Sequence, residues 1–360
     1  MPSPPDLRLH AAHAAAGARF GERRGQPVAA SYGDTAGEYA AAREAVALVD
    51  LPLRAVLEAS GPPRLKFLQG MLSNDVAAQA PGQGCAAALL NAKGAVQALL
   101  RVLVETDVIV LETDLDRVFP VQQALEYHRV AAPVRFAARD TSVLAVLGPG
   151  ALAVARGCGV EEAPAGPEAH AAASFGGQTV RLVRAGDLPG GGLVLHAAPG
   201  SAAAVWEALR AAGARPMGHD ALDALRVEAL RPWWGSDVTD ENLLHETGLV
   251  AECHSPTKGC YVGQEVVARL EARGGHVNKA LRGLRLSAPS AAGAAVSVEG
   301  REIGRVTTAA LSPRLGPIAL AYVHRAHFAP GTAVDIDGAP ATVVTSFEEP
   351  SEKAGLGVTP

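Results

Sequence analysis

The chain has 360 residues, 48% of them apolar and 19% charged, with a net charge of -5. That length exceeds one ordinary core and predicts two or three domains. The mild negative charge excludes a broad phosphate-gripping surface, so no stable nucleic-acid complex is expected. No apolar run approaches the roughly 20 residues of a membrane span. The N-terminal stretch carries Arg8, Arg19, Arg23 and Arg24 with no long apolar core between them, which predicts neither a secretory leader nor a membrane anchor. A cytoplasmic location is the expectation.

In chain order, residues up to Thr35 read as a loose lead-in, and 36–49 as a helix. A strand over 54–60 follows, then a Gly61-Pro62-Pro63 turn. Leu65, Phe67, Leu68, Met71 and Leu72 mark the apolar face of a short helix. Strands are expected over 84–90, 95–104 and 108–112, with Asp114 as the cap of a helix running to Tyr127. The Ala/Pro-rich stretch 163–173 reads as a surface loop. Strands and helices alternate up to Leu230, which predicts an α+β class for this half. Beyond Lys279 the pattern is β only, with short runs over 280–286, 295–298, 303–309, 318–323, 333–336 and 341–345. Glu299-Gly300 and Asp337-Gly338 lie between such runs, where hairpin turns demand positive φ. A small all-β barrel or sandwich is the natural form of this tail.

The chemistry-bearing residues gather between Arg226 and Asn278. On the expected helix over 218–230, Ala221, Leu222, Leu225 and Ala229 form one apolar arc with Glu228 at its edge. A carboxylate there either pairs with Arg226 or Arg231 or receives N–H donors from a bound heterocycle. Trp233 and Trp234 either pack or offer a flat face to a planar ligand. Val262, Val266 and Leu270 recur at helical spacing, so a helix is expected over 263–269. Lys258 and the N-terminus of that helix together favour an anion. Cys260 lies near the same positive end, a setting that favours thiolate over thiol, although a cysteine is as often an inert packing residue. The four cysteines, Cys85, Cys158, Cys253 and Cys260, show no C-x-x-C spacing, and Cys253, His254 and Cys260 make a weak metal motif; no metal site is expected.

Lys258-Gly259-Cys260-Tyr261-Val262-Gly263-Gln264-Glu265 resembles the signature of the YgfZ family of folate-binding proteins, relatives of the glycine cleavage T-protein. Arg226-Val227-Glu228, Trp234-Gly235-Ser236-Asp237 and Glu246-Thr247-Gly248-Leu249 resemble the shared T-protein pattern in the same order. The run from Phe67 to Val76 (FLQGMLSNDV) is similar to that family's N-terminal motif. The resemblance implies three domains in a ring, 36–140, 141–278 and 279–360, the last a β-barrel, with tetrahydrofolate or a one-carbon derivative in a central channel. It implies Glu228 as the carboxylate that receives the pterin, with Trp234, Lys258, Tyr261 and Gln264 also at the folate site and Cys260 as a reactive thiol. It further implies an accessory role for iron–sulfur enzymes, including those that thiolate tRNA. One departure separates the chain from T-proteins. Their Gly-Gly-Ile-x-Asp-Asp stretch carries a carboxylate that assists aminomethyl transfer, whereas the similar stretch here reads Gly94-Ala95-Val96-Gln97-Ala98-Leu99. Neither Ala98 nor Leu99 can accept a proton or stabilise a developing cation. Folate binding is therefore expected without glycine cleavage chemistry; the alternative is a true folate-dependent one-carbon transferase.

Overall fold

A computed structural model of the chain describes residues 9–348. Arg8 and residues 349–360, the latter placed in the third unit by the sequence, lie outside the described residues. The fold is mixed α+β and carries its strands in two open sheets and one closed barrel, besides a short N-terminal hairpin.

The first sheet is antiparallel, in the order Gly84–Leu90, Val96–Val104, Val108–Asp114, Arg54–Ser60 and Arg135–Arg139. Helices Arg64–Met71 and Val118–Arg129 cover one face, burying Leu68, Leu72, Val121 and Leu125 against Leu57, Leu100, Val102 and Leu111. Asp114 ends its strand without capping the next helix. Its carboxylate pairs instead with Arg24 and Arg54, because two guanidiniums outcompete a single N–H as donors.

The second sheet runs His170–Phe175, Gln178–Ala185, Gly192–Ala197, Ser142–Leu147, Ala47–Asp50 and Arg215–Pro216. Ala47–Asp50 corrects two expectations. The helix expected over 36–49 stops at Glu44, and the chain turns into a strand buried at all four positions. An unbroken apolar run suits a central strand covered on both faces, not one stripe of a helix. That strand pairs with Ser142–Leu147, so 36–140 does not stand as one sheet unit: its first strand belongs to the neighbouring sheet. The loop expected over 163–173 likewise gives way to a strand from His170, with Glu168 buried just before it.

The lead-in also carries structure: a helix, His10–Ala15, and a hairpin, Arg19–Arg23 with Gln26–Ser31. Its turn is Arg24-Gly25, both at positive φ (54° and 73°), the geometry of a tight hairpin turn. Arginine is an unusual residue there, so no Asn-Gly or Asp-Gly marks the hairpin in sequence.

The tail closes as a six-stranded barrel, Lys279–Leu286, Gly316–His324, Arg301–Ser312, Ala295–Val298, Ala333–Ile336 and Ala339–Val344, with the last strand returning to the first. Both anticipated turns have two consecutive positive φ values, 52° and 78° at Glu299-Gly300 and 50° and 83° at Asp337-Gly338. Among the described residues no helix is long and apolar enough to cross a membrane.

Candidate functional site

Between the two open sheets lies a cavity of about 990 Å³, counting the solvent at its mouth. Its walls come from the first sheet (Leu99, Arg101, Glu112, Asp114), from the second and its loops (Leu51, Glu168, Asp187, Val194), from the hairpin tip (Arg24), from His219, and from the segments Arg231–Trp234 and Leu249–Cys253. No barrel residue is among those that line it.

Charged groups dominate one wall. Arg101 stands in the apolar strand Val96–Val104 and is 3% exposed. It donates to Glu112 and Glu168 (2.5 Å each) and to Asp187. Arg54 bridges Glu112 and Asp114, and Arg24 bridges Asp114 (2.7 Å) and Asp116 (2.5 Å). His196 Nε2 meets Glu112 at 2.8 Å. Burial opposes charge on Glu112, but Arg101 and Arg54 overcome it and hold the carboxyl well below its usual range. Asp114 is the opposite case: burial prevails and raises it. A buried arginine or glutamate is tolerable only when paired, and here each cation meets at least two carboxylates. Asp187 is the loosest member, with a side chain 46% exposed at the cavity. Charges in the middle of apolar strands, Arg101 in VQALLRVLV and Glu112 in VIVLETD, were the available sequence signal for this network. The pairing itself was not legible, since Arg101 and Glu168 are 67 residues apart.

Glu228 is placed elsewhere. It ends the helix His219–Glu228 and is not a wall of the cavity. Both carboxylate oxygens are taken: Tyr39 Oη donates at 2.8 Å, Arg314 at 3.0 Å, Arg43 at 3.4 Å, and Ser312 Oγ completes the set. It pairs with neither Arg226 nor Arg231. Ser312 and Arg314 belong to the end of a barrel strand and its turn, so Glu228 clamps the helix to the barrel. Arg226 and Asp237 do the same nearby. Arg226 donates to Asp237 (2.6 Å) and Thr308 (2.8 Å), while Thr307 and Thr308 donate to the other oxygen of Asp237. Both oxygens of Glu228 are thus engaged by protein donors, and the residue is not among those that line this cavity.

Trp234 does line the cavity, as does Trp233; Arg117 lies 4.9 Å from the Trp234 ring and Arg226 4.9 Å from that of Trp233. Lys258, Cys260, Tyr261 and Gln264 do not. Lys258 is buried, and its ammonium donates to the carbonyls of Gln69 (2.7 Å), Leu72 and Asn74 (3.0 Å), 4.8 Å from the Tyr261 ring. It satisfies carbonyls at the C-terminal end of helix Arg64–Met71 rather than an anion. Burial pushes this lysine down to about 8. Tyr261 Oη contacts His254 Nδ1 at 3.2 Å, and His254 Nε2 lies 3.1 Å from Glu271. Gln264 opens the helix Gln264–Ala272 after Gly263 at φ 84°, where a Cβ would stand 2.5 Å from the Asn91 carbonyl. The loop is thus seated on the turn Asn91–Gly94 of the first sheet. Cys260 is exposed at its surface.

Residues 9–255 match the GCVT N-terminal domain and residues 279–347 the glycine cleavage T-protein C-terminal barrel domain. An aminomethyltransferase of Saccharopolyspora erythraea is 32% identical, over 94% of this chain and 95% of that protein. One from Synechococcus elongatus is 30% identical, over 88% and 87%. Among solved structures, glycine cleavage system aminomethyltransferase T from Bartonella henselae superposes with a TM-score of 0.85 at 24% identity, over 94% of this chain and 96% of that one, a likeness of fold. The chain belongs to the glycine cleavage T-protein family.

Proposed function

We propose that this chain is a cytoplasmic folate-binding protein of the YgfZ type, which does not transfer aminomethyl groups and which supports iron–sulfur enzymes, among them those that thiolate tRNA. Leu99 carries the reading: at the stretch where T-proteins place their assisting carboxylate, the residue on the cavity wall is an aliphatic side chain. The partly exposed cysteine loop supports it, since Cys260 belongs to the YgfZ signature and stands clear of the core. The cavity suits a reduced folate. Trp233 and Trp234 give aromatic wall, Asp187 offers an exposed carboxylate to ring N–H groups, and Arg24 and Arg231 stand near acidic residues where an anionic tail can compete for them. These residues would hold the folate and keep water from it; the folate would supply one-carbon chemistry or redox protection when bound.

The second reading, one-carbon transfer, is the activity in the name of the relatives, aminomethyltransferase. One experiment separates the two. Tetrahydrofolate is titrated calorimetrically, and the protein is then assayed with a glycine-loaded lipoyl carrier protein. Binding without methylene-tetrahydrofolate formation is expected. Formation at an enzyme-like rate, on the order of 1–1000 per second, would establish the transferase reading, and absence of binding would remove both.

A further inference from the structure

Eight lysines and arginines lie between residues 272 and 334 against two carboxylates, Glu299 and Glu302, although the whole chain carries -5. Five basic side chains of this stretch gather at one end of the barrel, where strand Lys279–Leu286 begins and strand Gly316–His324 finishes. Lys279 stands opposite His324 in the antiparallel register. Arg325 follows, its N–H donating to the Asn278 carbonyl at 2.9 Å, and the N–H of His327 donates to the His324 carbonyl at 2.9 Å. Arg282 reaches the same loop: Nε donates to the Phe328 carbonyl at 3.1 Å, and the guanidinium lies 4.5 Å from the Phe328 ring. Among the described residues Glu302 pairs with Arg305 at 2.7 Å, and no carboxylate pairs with Lys279, Arg282 or Arg325. Glu246, the carboxylate that feels the charge of Lys279, is buried and accepts from the Leu243 N–H at 3.1 Å.

Arg282 is the centre of this patch. Its Nε and Nη1 are held by the carbonyls of Phe328 and Leu281 (2.8 Å), which fixes the fork, while Nη2 makes no hydrogen bond on a side chain still partly open to solvent. Elsewhere in the molecule the burial of an arginine is outweighed by carboxylates, as at Arg24, Arg101 and Arg226. At Arg282 burial acts alone and lowers the guanidinium. A half-buried cation with neutral partners only is stabilised when a carboxylate arrives. We propose that this end of the barrel, Lys279, Arg282 and Arg325 with His324 and His327 beside them, is the docking surface for a carboxylate-rich segment of a partner protein. Charge complementarity selects that partner. A nucleic-acid strand needs a track of cations along its phosphates, and here the cations are confined to one end of one barrel in a chain that is acidic overall. A short acidic segment is neutralised within the patch. The inference is independent of what the cavity binds.

The test uses the full chain and a fluorescein-labelled oligoglutamate peptide, with oligothymidylate as the nucleic-acid comparison. Binding is followed by anisotropy, and a carbodiimide, which joins an amine to a carboxylate without a spacer, locates the peptide. Oligoglutamate is expected to bind, to release as sodium chloride is raised, and to cross-link at Lys279. Arg282→Gln should weaken it roughly tenfold or more, the worth of one charge-assisted hydrogen bond. Arg325→Glu, a change at an exposed residue, should also weaken it, whereas Arg156→Glu, an exposed reversal on helix Ala151–Gly157 outside the barrel, should leave it unchanged. The wild-type cross-link decides the matter even if Arg282→Gln folds poorly. Three results would overturn the inference: no binding of oligoglutamate, equal weakening by Arg156→Glu, or a cross-link that avoids Lys279. Tighter binding of oligothymidylate, weakened by the same two substitutions, would overturn the protein partner and make the patch a nucleic-acid site.

Discussion

Cys260 and Lys258 stand two residues apart and are opposite in setting. Lys258 is buried and donates to three main-chain carbonyls, one of them Gln69 at 2.7 Å, so its charge is directed into the protein and not toward the neighbouring thiol. The expectation that lysine and helix terminus jointly attract an anion fails on this geometry: the lysine is a helix-end cap that fastens the signature loop to the first sheet. Cys260 is exposed, and that removes the competing account in which it fills a core gap. A serine there loses no packing, so Cys260→Ser should unfold within about 0.5 kcal/mol of the wild type. Any functional loss is then chemical, because a hydroxyl cannot form sulfenic acid, persulfide or disulfide. The expected outcome is a folded protein that binds tetrahydrofolate as before and fails to restore iron–sulfur enzyme activity in a deletion strain. Full restoration would leave the thiol without a role.

The hairpin Arg19–Arg23 and Gln26–Ser31 brings Arg24 from the N-terminus to the cavity. The guanidinium is held by Asp114 and Asp116, and it lies against Gly235, where a Cβ would stand 2.4 Å from Nε. Gly235 also has φ 75°, so alanine there costs roughly 1–2 kcal/mol from the backbone alone. Gly235→Ala should cost more than this in the wild type, because Arg24 must leave one carboxylate to make room. In an Arg24→Ala background only the backbone part remains. A double-mutant cycle by urea unfolding should therefore give a coupling of about 0.5–3 kcal/mol; additive effects would mean that the hairpin tip does not press on the tryptophan loop. Elements of this kind also mark the limit of sequence reading. Strands with local signals were legible: Arg54–Ser60, Gly84–Leu90 and the barrel turns Glu299-Gly300 and Asp337-Gly338 follow from alternation and turn chemistry. The hairpin was not, since Arg-Gly is a rare turn pair, and neither was Ala47–Asp50, whose identity as a strand depends on Ser142–Leu147 pairing with it. At the site, the sequence left the tryptophan pair open between packing and a ligand-facing wall, and both residues line the cavity. The partners of Glu228 were not legible, because Ser312 lies 84 residues away on a barrel strand.

At the scale of the whole molecule, buried charge and buried histidine hold the units together, and both make the fold sensitive to acid. Arg101 joins Glu112 of the first sheet to Glu168 and Asp187 of the second, and His196 of the second sheet reaches the same Glu112. The barrel is held to the rest through Arg226, Glu228 and Asp237. His170, His196 and His219 all sit below the ordinary imidazole value, with burial the first cause in each case. A histidine that resists protonation when folded binds fewer protons folded than unfolded once the pH drops below about 6.5. Its contribution to stability is complete above that pH and declines below it, by up to about 1.4 kcal/mol per pH unit for each group. Glu112 acts in a lower window. Although burial opposes its charge, Arg101 and Arg54 hold the carboxyl well down, so its contribution is present above about 4.3 and is lost as the pH falls further. Asp114 and Glu168, raised by burial, work against these losses, since the folded protein takes up their protons before the unfolded chain does. Urea unfolding should therefore show a midpoint that is level from pH 8 to 7 and falls between pH 7 and about 5.5, and substitution of His170 by glutamine, which keeps a donor for the Val104 carbonyl, should make that fall shallower. A midpoint that holds level or rises across the interval would mean that the three imidazoles titrate alike in the folded and unfolded chain, and that burial does not govern them.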